Sequence, residues 1–287
     1  MKLVTYNVHF GQGTDERYDL SRIADEVSGA DLIALQEVER YWRRSGMTDQ
    51  VAEYASLFPD YYWIYGAGLD VDASTVQPDG SIVNRRRQFG NMLLSRYPIL
   101  SSRNHLLPKW GAVEQMSLQR SALEGVIETP SGAVKFYTLH LHHIAPNLRM
   151  EQLEALLAVI DQAPRAGGVW CGTHPNQAAG WTDEPPPPMP AETIILGDFN
   201  FTFDSFEYQR IIGPFDPVRG RLVNVVGLAD AWVAAGHAEH EGETVSGTGR
   251  IDYCFVSSWL APKIRAAHVD AQAQGSNHQP LHIEIDL

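Results

Sequence analysis

The chain has 287 residues, 44% of them hydrophobic and 20% charged, and its 22 basic and 35 acidic side chains leave a formal net charge of -13. That is enough apolar sequence for a substantial core, and the acidity disfavours a broad electropositive surface for nucleic acid. No stretch has the length and apolarity needed to cross a bilayer, and the two cysteines, Cys171 and Cys254, have neither metal-type spacing nor the pattern of a disulfide framework.

Residues 2–8 alternate as a strand and end in Asn7-Val8-His9-Phe10-Gly11. No basic region or long apolar leader accompanies this opening, so a cytoplasmic protein is expected. Leu20, Ile23, Ala24 and Val27 at helical spacing predict a helix over 19–27, with Asp19 as its cap and Gly29 beyond its end. Asp31 to Val38 is then an apolar strand that carries Glu37 out at its far end. Strand, helix, strand in that order implies a sheet layered with helices and polar chemistry at strand ends.

A second short helix is expected over 48–57 and an aromatic strand over 61–65. Residues 66–88 lack periodicity, contain Gly, Pro and Asp, and read as a surface loop ending in Arg85-Arg86-Arg87. With Arg43-Arg44, this triplet concentrates positive charge in an acidic chain. A solvated loop accounts for most such runs, and a site that handles anions is the functional alternative.

Strands are expected over 89–95, 99–106, 121–128 and 134–140, separated by short turns, which makes the sheets mixed. Leu153, Leu156, Leu157 and Ile160 form one apolar stripe on a helix over 148–162. Residues 164–191, with Gly167-Gly168 and the run Pro185 to Pro188, read as an insertion or lid whose Trp170 and Trp181 would wall one side of a cleft. Its flanks serve one site, so a single domain over 1–287 is expected.

The run Thr193 to Asn200 is apolar until it ends in Gly197-Asp198-Phe199-Asn200, and Asp198 and Asn200 share one side of an extended chain. A short helix is expected over 205–212, and another begins within 227–232. His237, Glu239, His240 and Glu241 are metal-ligand types, but their glycine-flanked setting reads as an exposed loop. Strands over 250–256, 264–269 and 281–285 follow, with Cys254 expected to be buried, and the turn Gly275 to Pro280 carries His278.

Taken in order, Thr5-Tyr6-Asn7-Val8, Leu35-Gln36-Glu37-Val38, Gly90-Asn91 through Leu94-Ser95-Arg96-Tyr97-Pro98-Ile99, Leu139-His140-Leu141, Leu196-Gly197-Asp198-Phe199-Asn200, Arg250-Ile251-Asp252-Tyr253 and Ser276-Asn277-His278-Gln279-Pro280 form a set that resembles the endonuclease/exonuclease/phosphatase superfamily of metal-dependent phosphoesterases. The resemblance covers essentially the whole chain. It implies a four-layer α/β/β/α sandwich, the DNase I-like fold, with the polar strand ends gathered at one rim. By similarity, Glu37, Asn7 and Asn277 would form a site for Mg²⁺ or Mn²⁺, and Asn7 and Asn200 would hold metal-site water or phosphate oxygens. Asp198 would orient the attacking water, and His278 would take a proton with Asp252 fixing its tautomer. His140 would donate to the phosphate or the leaving oxygen. Asn91, Arg85, Arg86 and Arg87 are candidates for binding substrate. His142 and His143 have no such support and read as ordinary polar residues.

The family usually has Asp before the last histidine, where this chain has Asn277, so weaker metal affinity is expected. A phosphomonoester or phosphodiester of a small or lipid-derived molecule is the favoured substrate. Nucleic acid is an alternative that the acidity disfavours, and a binding protein without turnover is a third reading. No membrane insertion is expected, and a monomer is.

Overall fold

A computed structural model describes residues 1–111, 113–181 and 183–287. Its strands in chain order are β1 (Lys2–Asn7), β2 (Leu32–Arg40), β3 (Tyr62–Asp72), β4 (Arg86–Ser95), β5 (Ile99–Leu106), β6 (Ser121–Thr129), β7 (Gly132–His140), β8 (Thr193–Asp198), β9 (Leu228–Asp230), β10 (Asp252–Ser257), β11 (Ile264–Val269) and β12 (Leu281–Ile285). They form two six-stranded sheets, ordered β11-β12-β1-β2-β4-β3 and β9-β10-β8-β7-β6-β5. Each sheet is antiparallel except for one central parallel pair, β1 with β2 and β7 with β8. A right-handed crossover needs a helix or long connection between such strands, and here α1 (Leu20–Glu26) and α3 (Pro146–Ala166) supply it.

The sheets face each other across a core that includes Leu3, Leu32, Leu93, Leu123, Phe136, Leu196 and Ile283. A second cluster packs β7, β8 and β10 against α3 and α4 (Phe206–Ile212), through Tyr137, Leu153, Leu156, Phe199, Tyr208 and Phe255. A third packs β1 and β2 against α1 and α2 (Gln50–Leu57), through Tyr6, Ile23, Ile33, Val51 and Tyr54. Helix, sheet, sheet and helix are therefore successive layers, as expected. Strands buried on both faces cannot alternate in polarity, which is why β2 and β8 read as continuous apolar runs, whereas β1, whose residues alternate, is nonetheless buried from Leu3 to Asn7. The helix caps follow the sequence: Asp19, Asp49 and Ser205 each accept a backbone N–H of the first turn.

Three local expectations are corrected. Residues 66–88 are not a plain loop: β3 runs on to Asp72, Thr75–Val76 pairs with Ile82–Val83, and β4 begins at Arg86. This ribbon is exposed on both faces, so it lacks apolar periodicity, and ladder hydrogen bonds and the Arg86–Asp70 ion pair hold it instead. Residues 227–232 give the short strand β9 before the one-turn helix α5 (Ala231–Ala234), because Leu228 to Asp230 pairs with β10. Residues 164–191 join the second sheet at the end remote from His140, where Lys135 reaches Pro190 and Arg103 donates to Gly167. Both anchored ends of the segment that carries Trp170 and Trp181 therefore lie away from the site described below, and Thr182 in that segment lies outside the described residues. Among the described residues no helix is long and apolar enough to cross a membrane.

His268 and His282 stack across β11 and β12, with ring centroids 4.6 Å apart and nearly parallel. Burial, with His268 beside it, lowers His282 to about 4 from a usual 6.5. The unfolded chain then binds more protons between those values, so this residue makes stability fall as pH drops through that window. From pH 7 to 5 its share is roughly 2 kcal/mol. Urea unfolding of the His282→Phe variant at both pH values should show a smaller pH-dependent loss than wild type, and an unchanged loss would refute this origin.

Candidate active site

The two parallel pairs carry their polar ends to the same rim. Asn7 closes β1 and Glu37 lies near the end of β2, while His140 closes β7 and Asp198 closes β8. His140 and Asp198 are register partners, and Asp198 is also paired with Asp252, the first residue of β10. Gly197 permits this closeness, since a Cβ there would stand 2.1 Å from the Leu139 carbonyl oxygen. Glu37 sits at a bulge where the β2–β4 register slips, with φ of +64°, a conformation costly for a residue with a side chain. The extra residue re-aims a side chain that regular pleating would direct elsewhere. Asn200 also has positive φ, at +55°, which asparagine tolerates.

Asp198 is the junction. Its Oδ2 accepts from Asn7 Nδ2 at 2.9 Å and faces His140 Nε2 at 3.3 Å and His278 Nε2 at 3.8 Å, while its Oδ1 accepts from the Asn200 backbone N–H at 2.9 Å. Asn7 Nδ2 also donates to Glu37 Oε1 at 3.2 Å, so one amide bridges the carboxylates of both sheets. Asn7 Oδ1 is occupied by the His9 N–H at 3.0 Å. Asn200 Nδ2 donates to the Leu141 carbonyl. His278 Nδ1 bonds to Asp252 Oδ2 at 2.8 Å, and Ser276 places the turn by donating to the Asn7 carbonyl. His140 Nδ1 accepts from Arg120 Nη1 at 2.9 Å, which leaves the ring proton on Nε2, toward Asp198.

The electrostatics follow from burial and from three neighbouring acids. Burial, then the charge of Asp252, pushes Asp198 up to about 7. Burial opposes protonation of His278, but Asp252 and Asp198 outweigh it and hold the ring up to about 9. Burial, reinforced by Arg120, keeps His140 well below its ordinary value, so this ring is neutral. Asp198, Asp252 and His278 bring ligand-type atoms within 4.8 Å of one another, and one buried oxygen of Asp252, Oδ1, has no hydrogen-bond partner. An excess of carboxylate oxygen with an unsatisfied acceptor suits a hard divalent cation, so the donor set fits Mg²⁺ or Mn²⁺.

The cluster therefore gathers Asn7, Glu37, His140, Asp198, Asn200, Asp252 and His278. Asn277 is exposed, and its Oδ1 meets Ser276 Oγ at 3.4 Å. Asn91 is buried beside the cluster and donates to the Ser121 carbonyl, sharing a small cavity with His140 and Arg120. Arg85, Arg86 and Arg87 lie on the exposed ribbon that extends past the rim and are not drawn into the cluster. Arg86 pairs with Asp70, while Arg87 donates to the Tyr41 carbonyl and lies over the Trp42 ring. Arg44 continues this contact series over Trp42 and over Phe10.

Arg120 is the site residue that sequence reasoning missed. It is 5% exposed, its Nε has no partner, and the charges it feels most are those of Glu37 and Asp198. The available signal was an arginine placed immediately before the buried strand β6. His142 conforms to its ordinary reading: its Nδ1 accepts the backbone N–H groups of Ile144 and Ala145 in the turn leading to α3.

The model of the endonuclease/exonuclease/phosphatase family matches residues 4–278. Among solved structures, an endonuclease/exonuclease/phosphatase from Beutenbergia cavernae is 21% identical at a TM-score of 0.66, covering 100% of this chain and 71% of its own. The mannosyl-6-phosphatase of Bacteroides thetaiotaomicron is 17% identical at 0.62, with 100% of both chains covered. Truncated TDP2 of Caenorhabditis elegans is 14% identical at 0.57, covering 98% of this chain and 95% of its own. No curated protein matches the chain significantly. A family match over nearly the whole length, on two mixed sheets whose polar ends meet at one rim, establishes that this chain belongs to the endonuclease/exonuclease/phosphatase family.

Proposed function

We propose that the protein is a divalent-metal-dependent hydrolase of phosphate esters, acting on a small or lipid-derived monoester or diester by in-line attack of water. Family membership supports phosphate-ester hydrolysis in general. The observation that carries the finer reading is the convergence on Asp198 of groups from both sheets, with Asn7 bridging it to Glu37.

A phosphate ester repels nucleophiles and holds its leaving group, so catalysis consists mainly of positioning and charge compensation. A bound Mg²⁺ or Mn²⁺ would supply a Lewis acid for the phosphoryl oxygens, and Glu37, joined to Asp198 through the Asn7 amide, would be the carboxylate that holds it. Asp198 is fixed through both oxygens, which aligns it to accept a proton from the attacking water. Asp252 locks the His278 ring so that Nε2 faces the cluster, and the charged imidazolium stabilises phosphoryl oxygen. His140, neutral with Nε2–H, donates to phosphate or to the departing oxygen, and Arg120 sets that tautomer. Asn277 stands beside this machinery without the charge of the family's usual aspartate.

Asp198→Asn should lower kcat/KM for bis(4-nitrophenyl) phosphate by at least about 10²-fold while leaving the circular-dichroism spectrum unchanged. Wild-type turnover by that variant would sink the assignment. EDTA should abolish activity and Mn²⁺ should restore it. In a thermal-shift titration, Glu37→Gln should raise the half-saturating Mn²⁺ concentration by on the order of tenfold, since a charged ligand is lost. Equal titrations for both proteins would remove Glu37 from the metal site. Asn277→Asp should lower that concentration, and an unchanged value would mean that residue 277 lies outside the site's electrostatic reach.

The arginine-on-aromatic series Arg87, Trp42, Arg44 and Phe10 favours a second reading, a nuclease that tracks a phosphate backbone along the ribbon. Nicking of plasmid DNA in Mg²⁺ decides between the two.

A further inference from the structure

Beside the site runs the loop formed by residues 107–111 and 113–120, while the anchored ends of the insertion at 164–191 lie away from it. Leu107 and Arg120 close its base through a backbone hydrogen bond, and Gln152 of α3 pins its start by donating to the Pro108 carbonyl. One end of this loop is thus Arg120, against His140. At the other end the loop and the turn into α3 enclose a half-open cavity of about 370 Å³, within the range of small-molecule pockets.

Its walls are mainly apolar, from Trp110, Met116, Ile144 and Leu148. Trp110 is 65% exposed and Met116 67%, so apolar surface is left uncovered beside a polar site. The Trp110 indole is held by donation to Glu151 Oε2 at 2.8 Å, and its carbonyl accepts from Ser117. Glu151 is the sole charged side chain among the described lining residues, and that carboxylate is engaged by the indole. The pocket therefore has no cation for an anionic group. His142 is its polar floor. Two backbone N–H groups occupy Nδ1 of this buried ring, so Nε2 carries the hydrogen, and the ring lines the cavity. His142 is two residues beyond His140, at most about 7 Å along the chain. The intervening Leu141 carbonyl accepts from Asn200.

We propose that this cavity binds a flat, uncharged aromatic ring of the substrate, joined to the scissile phosphate through a short linker as a nucleobase is through its sugar. The exposed indole offers a stacking face, Met116 and Ile144 offer apolar contact, and His142 Nε2–H offers one hydrogen bond to a ring acceptor. The proposal rests on the phosphoester reading above and narrows its substrate to a small, nucleoside-like ester.

The test compares adenosine 5′-(methyl phosphate), ribose 5-(methyl phosphate) and hexyl methyl phosphate, whose common methanol leaving group cannot fill the pocket. Wild type should favour the adenosine ester over the ribose ester by at least about fivefold in kcat/KM, the low end of what base stacking on an aromatic side chain supplies. Trp110→Ala should lower the adenosine ester's value at least about fivefold more than the ribose ester's, and Trp110→Phe should keep most of the preference. Equal rates for the adenosine and ribose esters, or equal or faster turnover of the hexyl ester, would overturn the proposal. Equilibrium dialysis of adenosine with EDTA-treated protein separates the pocket from the chemistry. Binding that Trp110→Ala abolishes supports the pocket even if no ester turns over, whereas binding that Trp110→Ala leaves unaltered, or none at millimolar adenosine, refutes it.

Discussion

The buried carboxylate of Asp198 is the constraint around which the rim is built, because an ionised group taken out of water is tolerable only when paired and hydrogen-bonded. Four groups compensate it: Asn7 from the first sheet, the Asn200 N–H from the turn after β8, and the imidazoles of His140 and His278. Asp252, its cross-strand partner, adds a second negative charge and is balanced by His278.

That arrangement depends on the packing of two sheets at fixed register. A further polar link crosses their interface: Gln36 of β2 donates to Thr138 of β7 and to Thr5 of β1, all three side chains being buried. A satisfied polar bridge in an otherwise apolar interface favours one relative placement of the sheets, since sliding would leave its donors unpaired. The same placement brings Glu37 within 3.7 Å of His140. Core geometry and site geometry are thus set by the same contacts.

Around the cluster, the rim is asymmetric. Toward the first sheet, arginines lie on aromatic rings beside an exposed ribbon, and toward the second, Trp110 presents an indole over a mainly apolar cavity without a cation among its described lining residues. Under the function proposed above, a phosphate and its attached group would meet these two different environments on loops, with the clustered polar groups carried on strand ends.

The amino-acid sequence by itself determined the layers and their order. The alternation of β1, apolar runs as in β2 and β8, the helical stripe of α3 and the cap Asp19 are local signals, and the ordered motifs named the residues of the cluster in advance. The sequence was silent where the deciding contacts are distant or where periodicity is absent. The polar ribbon of β3 and β4 has no apolar face to betray it. Arg120 is an unremarkable arginine until β6 sets it against His140, and Asn277 is exposed although its neighbours Ser276 and His278 are buried. The segment rich in Pro and Gly reads as a lid, yet parallel pairing of β7 and β8 obliges the connection between them to return to the opposite rim. Only the tertiary structure could decide which loops border the site, because that depends on strand direction, which composition does not encode.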